Sequence, residues 1–291
     1  GIARWDGAAW SALGGGLTHA SLVWCLTRSS NGDLVAGGVF TFADGVPANQ
    51  VARWNGVAWS PMGSGLGHPF PADEPVLTLQ AIAGGEVIAG GRFLSADQAA
   101  DRVARWDGSS WTSLRAGSGG AFFDATLLPN GDLVVVGDFT AIEGVAAHRI
   151  AGRSGGTWAA LGSGIDDGEV RAVLALPNGD LVVGGTFSSA GGASANRVAR
   201  WDGTAWQALG GGLPGTVLDL AFHPATGQIL AAGGFTDGLA MWNGQGWSGT
   251  GVAPHPGARN LLMTPSGDVP SWANFPVVRW NRIGWDALAP L

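Results

Sequence analysis

The chain has 291 residues, a formal net charge of −7 and only 13% charged side chains, against roughly a quarter in an ordinary globular domain. All 15 basic residues are arginine and no cluster of them stands out, which argues against phosphate-backbone binding and excludes a polybasic membrane patch. Tyrosine and lysine are absent and Cys25 is the only cysteine, so tyrosine nucleophiles, Schiff-base chemistry and an internal disulfide are all excluded.

Read from the N-terminus, two short units alternate. The opening residues, Gly1-Ile2-Ala3-Arg4-Trp5, do not read as a signal peptide. Residues 1–16 carry Trp5 and Trp10, five apart, with Asp6-Gly7 between them. Residues 21–40 then give an apolar run, Asn31-Gly32, a second apolar run and Gly37-Gly38. The Trp unit returns at Trp54/Trp59, Trp106/Trp111, Trp201/Trp206, Trp242/Trp247 and Trp280/Trp285, and around Trp158 with Arg153 in the first Trp's place. The glycine unit returns at 76–93, 122–139, 173–187, 217–235 and 258–275. These repeats hold 13 of the 15 tryptophans, so the tryptophan content is architecture and not by itself a ligand surface; Trp24 and Trp272 stand outside it.

Asn-Gly and Asp-Gly pairs between apolar runs predict tight two-residue hairpin turns, with the positive φ angles such turns need. No stretch sustains a 3.6-residue period. Four short strands recurring every 40–50 residues predict an all-β chain, a β-propeller of four-stranded antiparallel blades in a single domain over 1–291. The doubled glycines Gly37-Gly38, Gly90-Gly91 and Gly184-Gly185 predict close backbone approach. The repeats run over about 17–63, 64–115, 116–162, 163–210, 211–251 and 252–291, after a half-blade at 1–16. Seven blades with an incomplete first one is the preferred count, and six blades with an extra hairpin the second. An unfilled half-blade exposes a sheet edge, and exposed edges recruit partners.

The order apolar strand, Gly-Gly, loop, strand, turn, Trp resembles the kelch repeat and the central propeller of galactose oxidase. The fuller pattern, Gly-Gly-x-Phe followed by Arg-Trp-Asp-Gly-x-x-Trp-x-x-Leu-Gly, is similar to the propeller repeats of fungal cortical polarity-marker proteins and their bacterial relatives. The resemblance implies a propeller along essentially the whole chain and a secreted or envelope location. Galactose oxidase chemistry needs tyrosine copper ligands and a Tyr–Cys cross-link, and sialidase propellers use a tyrosine nucleophile; neither activity can operate here.

Catalytic constellations are missing from the pattern. His19, His68, His148, His223 and His255 are scattered, with no zinc-type spacing. No G-x-S-x-G elbow is present, and Cys25 lies in an apolar run that suits a buried, inert thiol. Calcium is the one cofactor left open, with Asp166, Asp167 and Glu169 as ligand candidates and Asp73-Glu74 as a second carboxylate pair. Arg4, Arg53, Arg105, Arg200 and Arg279 precede the first Trp of their units; because they track the Trp, a structural role is favoured over an anion-binding ring. A binding site on a repeat fold should use residues that break the repeat. Those are Trp24, Arg28, Phe70, Arg92, Asp124, Arg171, His223, Arg259 and Trp272, together with Phe122 and Phe123.

These observations point first to a non-enzymatic extracellular or cell-surface module that binds a protein or glycan partner, or self-assembles, through the open blade edge. Membrane insertion and nucleic-acid binding are not expected. The alternatives are an enzyme, a hydrolase or lyase on an anionic sugar at the central channel, with Arg171 and His223 as the residues to mutate, and a structural module of a longer repeat protein.

Overall fold

The computed structural model describes residues 2–6, 8–18, 22–67, 75–93, 102–114, 120–236 and 238–249, and the backbone of strands at 260–261, 269–272, 278–280 and 285–287. Among them the only helical element is a 3-10 turn at Ala83–Gly85; the rest is strands and turns. Two compact units divide the chain: Gly1–Leu127 with Phe139–Ala146, and Leu128–Asp138 with Ala147–Leu291.

The first unit opens on a two-stranded half-sheet, Ala3–Trp5 with Trp10–Ala12. Two complete four-stranded sheets follow in chain order. One is Leu22–Arg28, Leu34–Val39, Val51–Trp54 and Trp59–Pro61; the other is Val76–Ala81, Val87–Gly91, Val103–Trp106 and Trp111–Ser113. The second unit holds three more: Val170–Ala175 to Trp206–Ala208, Val217–His223 to Trp247–Gly249, and Asn260–Leu261 to Trp285–Ala287. The division of the chain falls inside a further set of the same pattern, between Phe122–Leu127 and Leu133–Gly137. Among the described residues the strands pair antiparallel, and apolar runs too short for helices alternate with glycine-bearing turns.

The turns differ from the expected two-residue form. In Leu176-Pro177-Asn178-Gly179-Asp180 only Gly179 has positive φ, at 92°. The Gly179 N–H donates to Leu176 O at 2.9 Å and the Leu176 N–H to Asp180 O at 2.8 Å, which makes a three-residue loop closed by a glycine. Pro177 suits the first corner of a type I turn, but the Ser29–Asp33 turn closes in the same way with Ser30 there; the glycine that follows the Asn takes the positive φ in both. In the Trp unit Asp202 does not take positive φ either. Its carboxylate accepts the N–H groups of Thr204 and Ala205 at 2.9 and 2.8 Å and the Thr204 hydroxyl at 2.8 Å, which holds its pKa down at about 2. Asn55 and Asn243 brace the same turn with their amide oxygens.

The Trp pairs 5/10, 54/59, 106/111, 201/206 and 242/247 sit directly across their hairpins, with ring centroids 5.2–5.6 Å apart and planes tilted by 47–52°. The second indole N–H reaches back to the carbonyl that ends the preceding repeat: Trp59 to Leu13, Trp111 to Met62, Trp206 to Leu161 and Trp247 to Leu209, at 2.9–3.0 Å. Neighbouring sheets are thereby tied at their outer strands as well as packed.

The two glycines of each pair do different things. A Cβ on Gly37 would meet Val76 and Leu79 of the next sheet at 2.7 and 3.0 Å, and one on Gly184 would meet Val217 at 2.3 Å and Leu220 at 3.4 Å. The first glycine therefore makes room for the next sheet's side chains. The second faces its own sheet: a Cβ on Gly38, Gly91 or Gly185 would lie 1.9–2.2 Å from the carbonyl oxygen of Leu22, Pro75 or Glu169, at the start of the first strand. The first strand shifts register just after that carbonyl, between Val23 and Cys25, Val76 and Thr78, and Val170 and Ala172.

Candidate functional site

The repeat gives the first strand of each sheet a fixed pattern of burial. Val76 and Leu79 are 0% and 7% exposed, and Val217 and Leu220, at the same positions, are 0% and 7% exposed. The preceding sheet covers them: Cys25, Val35, Val51, Met62 and Leu66 in the first unit, and Ala172, Val182, Val198, Leu209 and Leu213 in the second.

The Leu22–Arg28 strand breaks this pattern. Leu22, Trp24 and Leu26 are 59%, 39% and 46% exposed; Leu26 shares its face with Arg28, and the register shift between Val23 and Cys25 places Trp24 in a bulge. Leu26 is the counterpart of Leu79 and Leu220. The cause lies in the half-sheet. Ile2, Leu13 and Leu17 stand in the positions of Val51, Met62 and Leu66, and they pack with Val23, Leu34 and Ala36. Among the described residues nothing occupies the positions of Cys25 and Val35, because the half-sheet has no counterpart of the first two strands. Leu26 is thus left toward solvent beside the half-sheet, with Leu22 and Trp24 also exposed on its strand. Large apolar side chains exposed close together suit an interaction surface.

The repeated arginines are structural in this arrangement. Arg53 pairs with Asp33 at 3.4 Å, Arg105 forms a two-pronged pair with Glu86, and Arg200 holds Asp180, each partner being the residue that opens the second strand of the same sheet. Arg153, where Trp is replaced, lies over the Trp158 ring at 5.7 Å. Arg4 is the exception: it is exposed and, among the described residues, no carboxylate forms an ion pair with it, since the half-sheet lacks the strand that would supply one.

The residues singled out from the sequence are dispersed. Trp24 and Arg28 are both exposed on Leu22–Arg28, and the Arg28 Nε–H donates to Gly32 O at 3.3 Å. Asp124 lies on Phe122–Leu127, where it accepts the Thr78 hydroxyl at 3.4 Å and the Ala125 N–H at 2.8 Å. Arg92 is exposed just after Val87–Gly91. In the second unit, Arg171 pairs with Glu169, and His223 is buried at the end of Val217–His223 with no hydrogen bond to Nδ1. Phe70, Arg259 and the Asp73-Glu74 pair lie outside the described residues, as does the side chain of Trp272, which ends the strand Val269–Trp272.

The carboxylates proposed for calcium are engaged in bracing a loop. Asp167 accepts the N–H and hydroxyl of Ser188 at 2.8 and 2.6 Å and the N–H of Ser189 at 3.1 Å; the Ser188 hydroxyl above all holds its pKa down. Asp166 accepts the Gly192 N–H at 2.9 Å. Among the described residues no group of three or more His, Cys, Asp or Glu is placed to hold a metal ion. Burial pushes the Cys25 thiol well above the ordinary range, the opposite of a reactive thiolate. A cleft of about 240 Å³ in the first unit is lined by Asn31, Met62, Val87, Trp106 and Arg53, whose charge is already met by Asp33, so it offers no acid–base pair.

Leu22, Leu26 and Arg4 were not singled out by sequence reasoning. The signal available was comparison down the repeat: Leu26 matches the covered Leu79 and Leu220, and Arg4 matches the paired Arg53, Arg105 and Arg200.

Fold and comparison together define the chain as a β-propeller. The family model "Domain of unknown function (DUF5122) beta-propeller" matches residues 176–201, the stretch containing the strands Leu181–Gly185 and Val198–Trp201. No curated protein matches the chain. Among solved structures, the extracellular domain of a protein named as a one component system, BT4673 from B. thetaiotaomicron, is 10% identical over 96% of this chain with a TM-score of 0.65; the match covers 35% of that chain, so this chain spans about a third of its length. Virginiamycin B lyase from Staphylococcus aureus is 11% identical, with 91% of this chain and 83% of that one covered and a TM-score of 0.63. YCF48 bound to D1 peptide is 16% identical, with 94% and 82% covered and a TM-score of 0.57. At these identities the likeness is one of fold. Among the described residues no helix is long and apolar enough to cross a membrane.

Proposed function

We propose that this propeller is a non-enzymatic binding module that engages a polypeptide partner through the open face of its first complete sheet, outside the cytoplasm. The observation that carries the reading is the exposure of Leu26, beside the exposed Leu22 and Trp24 of its strand, where Leu79 and Leu220 at the position of Leu26 are covered. Burying what remains exposed of these side chains contributes about 1 kcal/mol each to association before ordering costs. The extracellular placement is supported by the family resemblance and by the extracellular origin of the matched BT4673 domain. YCF48, solved with a bound peptide, is a propeller of the same fold class.

The test is a variant with Trp24→Asp and Leu26→Asp. Both side chains are solvent-facing, so the melting temperature should stay within a few degrees of the parent. Uptake of the apolar dye anilinonaphthalene sulfonate, and any self-association seen by sedimentation at high concentration, should fall to background. Dye uptake that is the same in variant and parent would show that the face is not an apolar docking surface.

A further inference from the structure

We infer that the cleft between the first two complete sheets is a second binding site, for a leucine-sized branched side chain of a peptide whose neutral carbonyl is held by Arg53. The inference does not depend on the open face of Leu22–Arg28, because both walls of the cleft are complete four-stranded sheets.

The space arises from a break in the repeat. Ser29, Leu128 and Leu176 occupy one position: the N–H of each donates to the carbonyl of the acidic residue that opens the second strand, Asp33, Asp132 or Asp180. The two leucines reach the following sheet. Leu128 packs with the cluster that includes Leu181 and Trp201, and Leu176 with the cluster that includes Ile229 and Trp242. Val87 and Trp106 are the matching residues of the second complete sheet, paired as Leu181 is with Trp201 and Ile229 with Trp242. Ser29 is too short to cover them. Its hydroxyl turns back into its own loop, 2.6 Å from Asn31 Oδ1 and 3.0 Å from Asp33 O. A cleft of about 240 Å³ is left, with Met62, Val87 and Trp106 among its walls. Gly84 widens the mouth, since it stands where the other turns carry the side chains of Asn31, Asn130 and Asn178. Protein interiors are close-packed, and an apolar space of this size suits the kind of group that fills it in the other repeats, a branched aliphatic side chain.

The rim specifies what accompanies that side chain. Arg105 and Arg200 hydrogen-bond Glu86 and Asp180. Arg53, which lines the cleft, lies 3.4 Å from Asp33 and among the described residues donates no hydrogen bond. A guanidinium has donors and no acceptor, so its missing partner is an acceptor. Asp33 already balances the charge, which favours a neutral carbonyl over a second carboxylate. A branched apolar side chain beside a neutral carbonyl is a residue within a peptide, not a free acid.

The probe is N-acetyl-leucinamide, titrated into the nitrogen-labelled chain and followed by NMR. The Trp106 indole and the Gly84 and Gly108 amides should shift and saturate at millimolar probe, while Trp201 and Gly179, their counterparts in the second unit, stay in place. N-acetyl-alaninamide, which lacks the branched group, and isocaproate, which replaces the neutral carbonyl by a carboxylate, should each bind at least about fivefold more weakly. Ser29→Leu restores the side chain of the other repeats; it should raise the melting temperature by a few degrees and weaken binding by about tenfold or more. Ser29→Ala, which keeps the space, should bind within about twofold of the parent. Arg53→Met should weaken binding about tenfold. The Trp24→Asp, Leu26→Asp variant should bind as the parent does, so this site and the open face fail separately. No saturable shift at Trp106, equal shifts at Trp201, or isocaproate binding as tightly as the amide would each overturn the inference. So would a folded Ser29→Leu protein that binds like the parent; if that variant does not fold, the location of the shifts in the parent decides.

Discussion

Alanine at Gly185 should lower the melting temperature by about 10 °C, equivalent to at least 3 kcal/mol. The added Cβ would lie 1.9 Å from the carbonyl oxygen of Glu169 and 2.9 Å from its carbon. Both are backbone atoms, so no rotamer change relieves the overlap. Either the first strand gives up its register shift between Val170 and Ala172, or the pairing Val170↔Gly185 breaks. Gly233, which faces Thr216 O at 2.0 Å, should respond in the same way. The matched control is Gly211→Ala, where nothing lies within 4 Å of the new atom; its midpoint should stay within a few degrees of the parent. Thermal unfolding followed by circular dichroism reads all three. A Gly185→Ala protein that melts with the parent would mean that the second glycine of the pair is not held by backbone contact.

The second large effect belongs to the Trp pairs. Trp206→Ala should cost about 3–5 kcal/mol in urea unfolding, and Trp206→Phe about 1–3 kcal/mol. Trp206 is buried, its ring lies 5.2 Å from that of Trp201, and its Nε1–H donates to Leu161 O at 2.9 Å. Alanine removes the packing and the hydrogen bond together; phenylalanine keeps most of the packing and leaves the Leu161 carbonyl without its donor. The ordering of the two variants separates the contributions. Equal losses would mean that the indole N–H, and with it the tie between repeats, contributes most of the effect.

The sequence made the strand content, the sheet pattern and the half-sheet legible, because a repeat of fixed length states the same local rule several times over. It also led to the structural reading of the arginines, since Arg53, Arg105 and Arg200 always travel with the Trp they precede. Details that depend on a second segment were not legible. Asn178 reads as a left-handed turn residue, but the three-residue loop between Leu176 and Asp180 leaves the positive φ to Gly179 alone. Asp166 and Asp167 looked like a cation cluster because their partners, Ser188, Ser189 and Gly192, lie more than twenty residues downstream. Leu26 reads in sequence like Leu79 and Leu220; its exposure arises from what is missing beside it, and no property of the residue itself signals that.

The claim that the first complete sheet presents an open face is tested most directly by chemical labelling. In a Cys25→Ser background, a single cysteine would be placed at Leu26, at Leu79 or at Leu220, and each folded protein treated with a maleimide. The account predicts rapid labelling at position 26 and protection at 79 and 220 until the protein is unfolded. Equal protection at all three positions would mean that position 26 is covered like its counterparts, and the docking face proposed for this propeller would not exist.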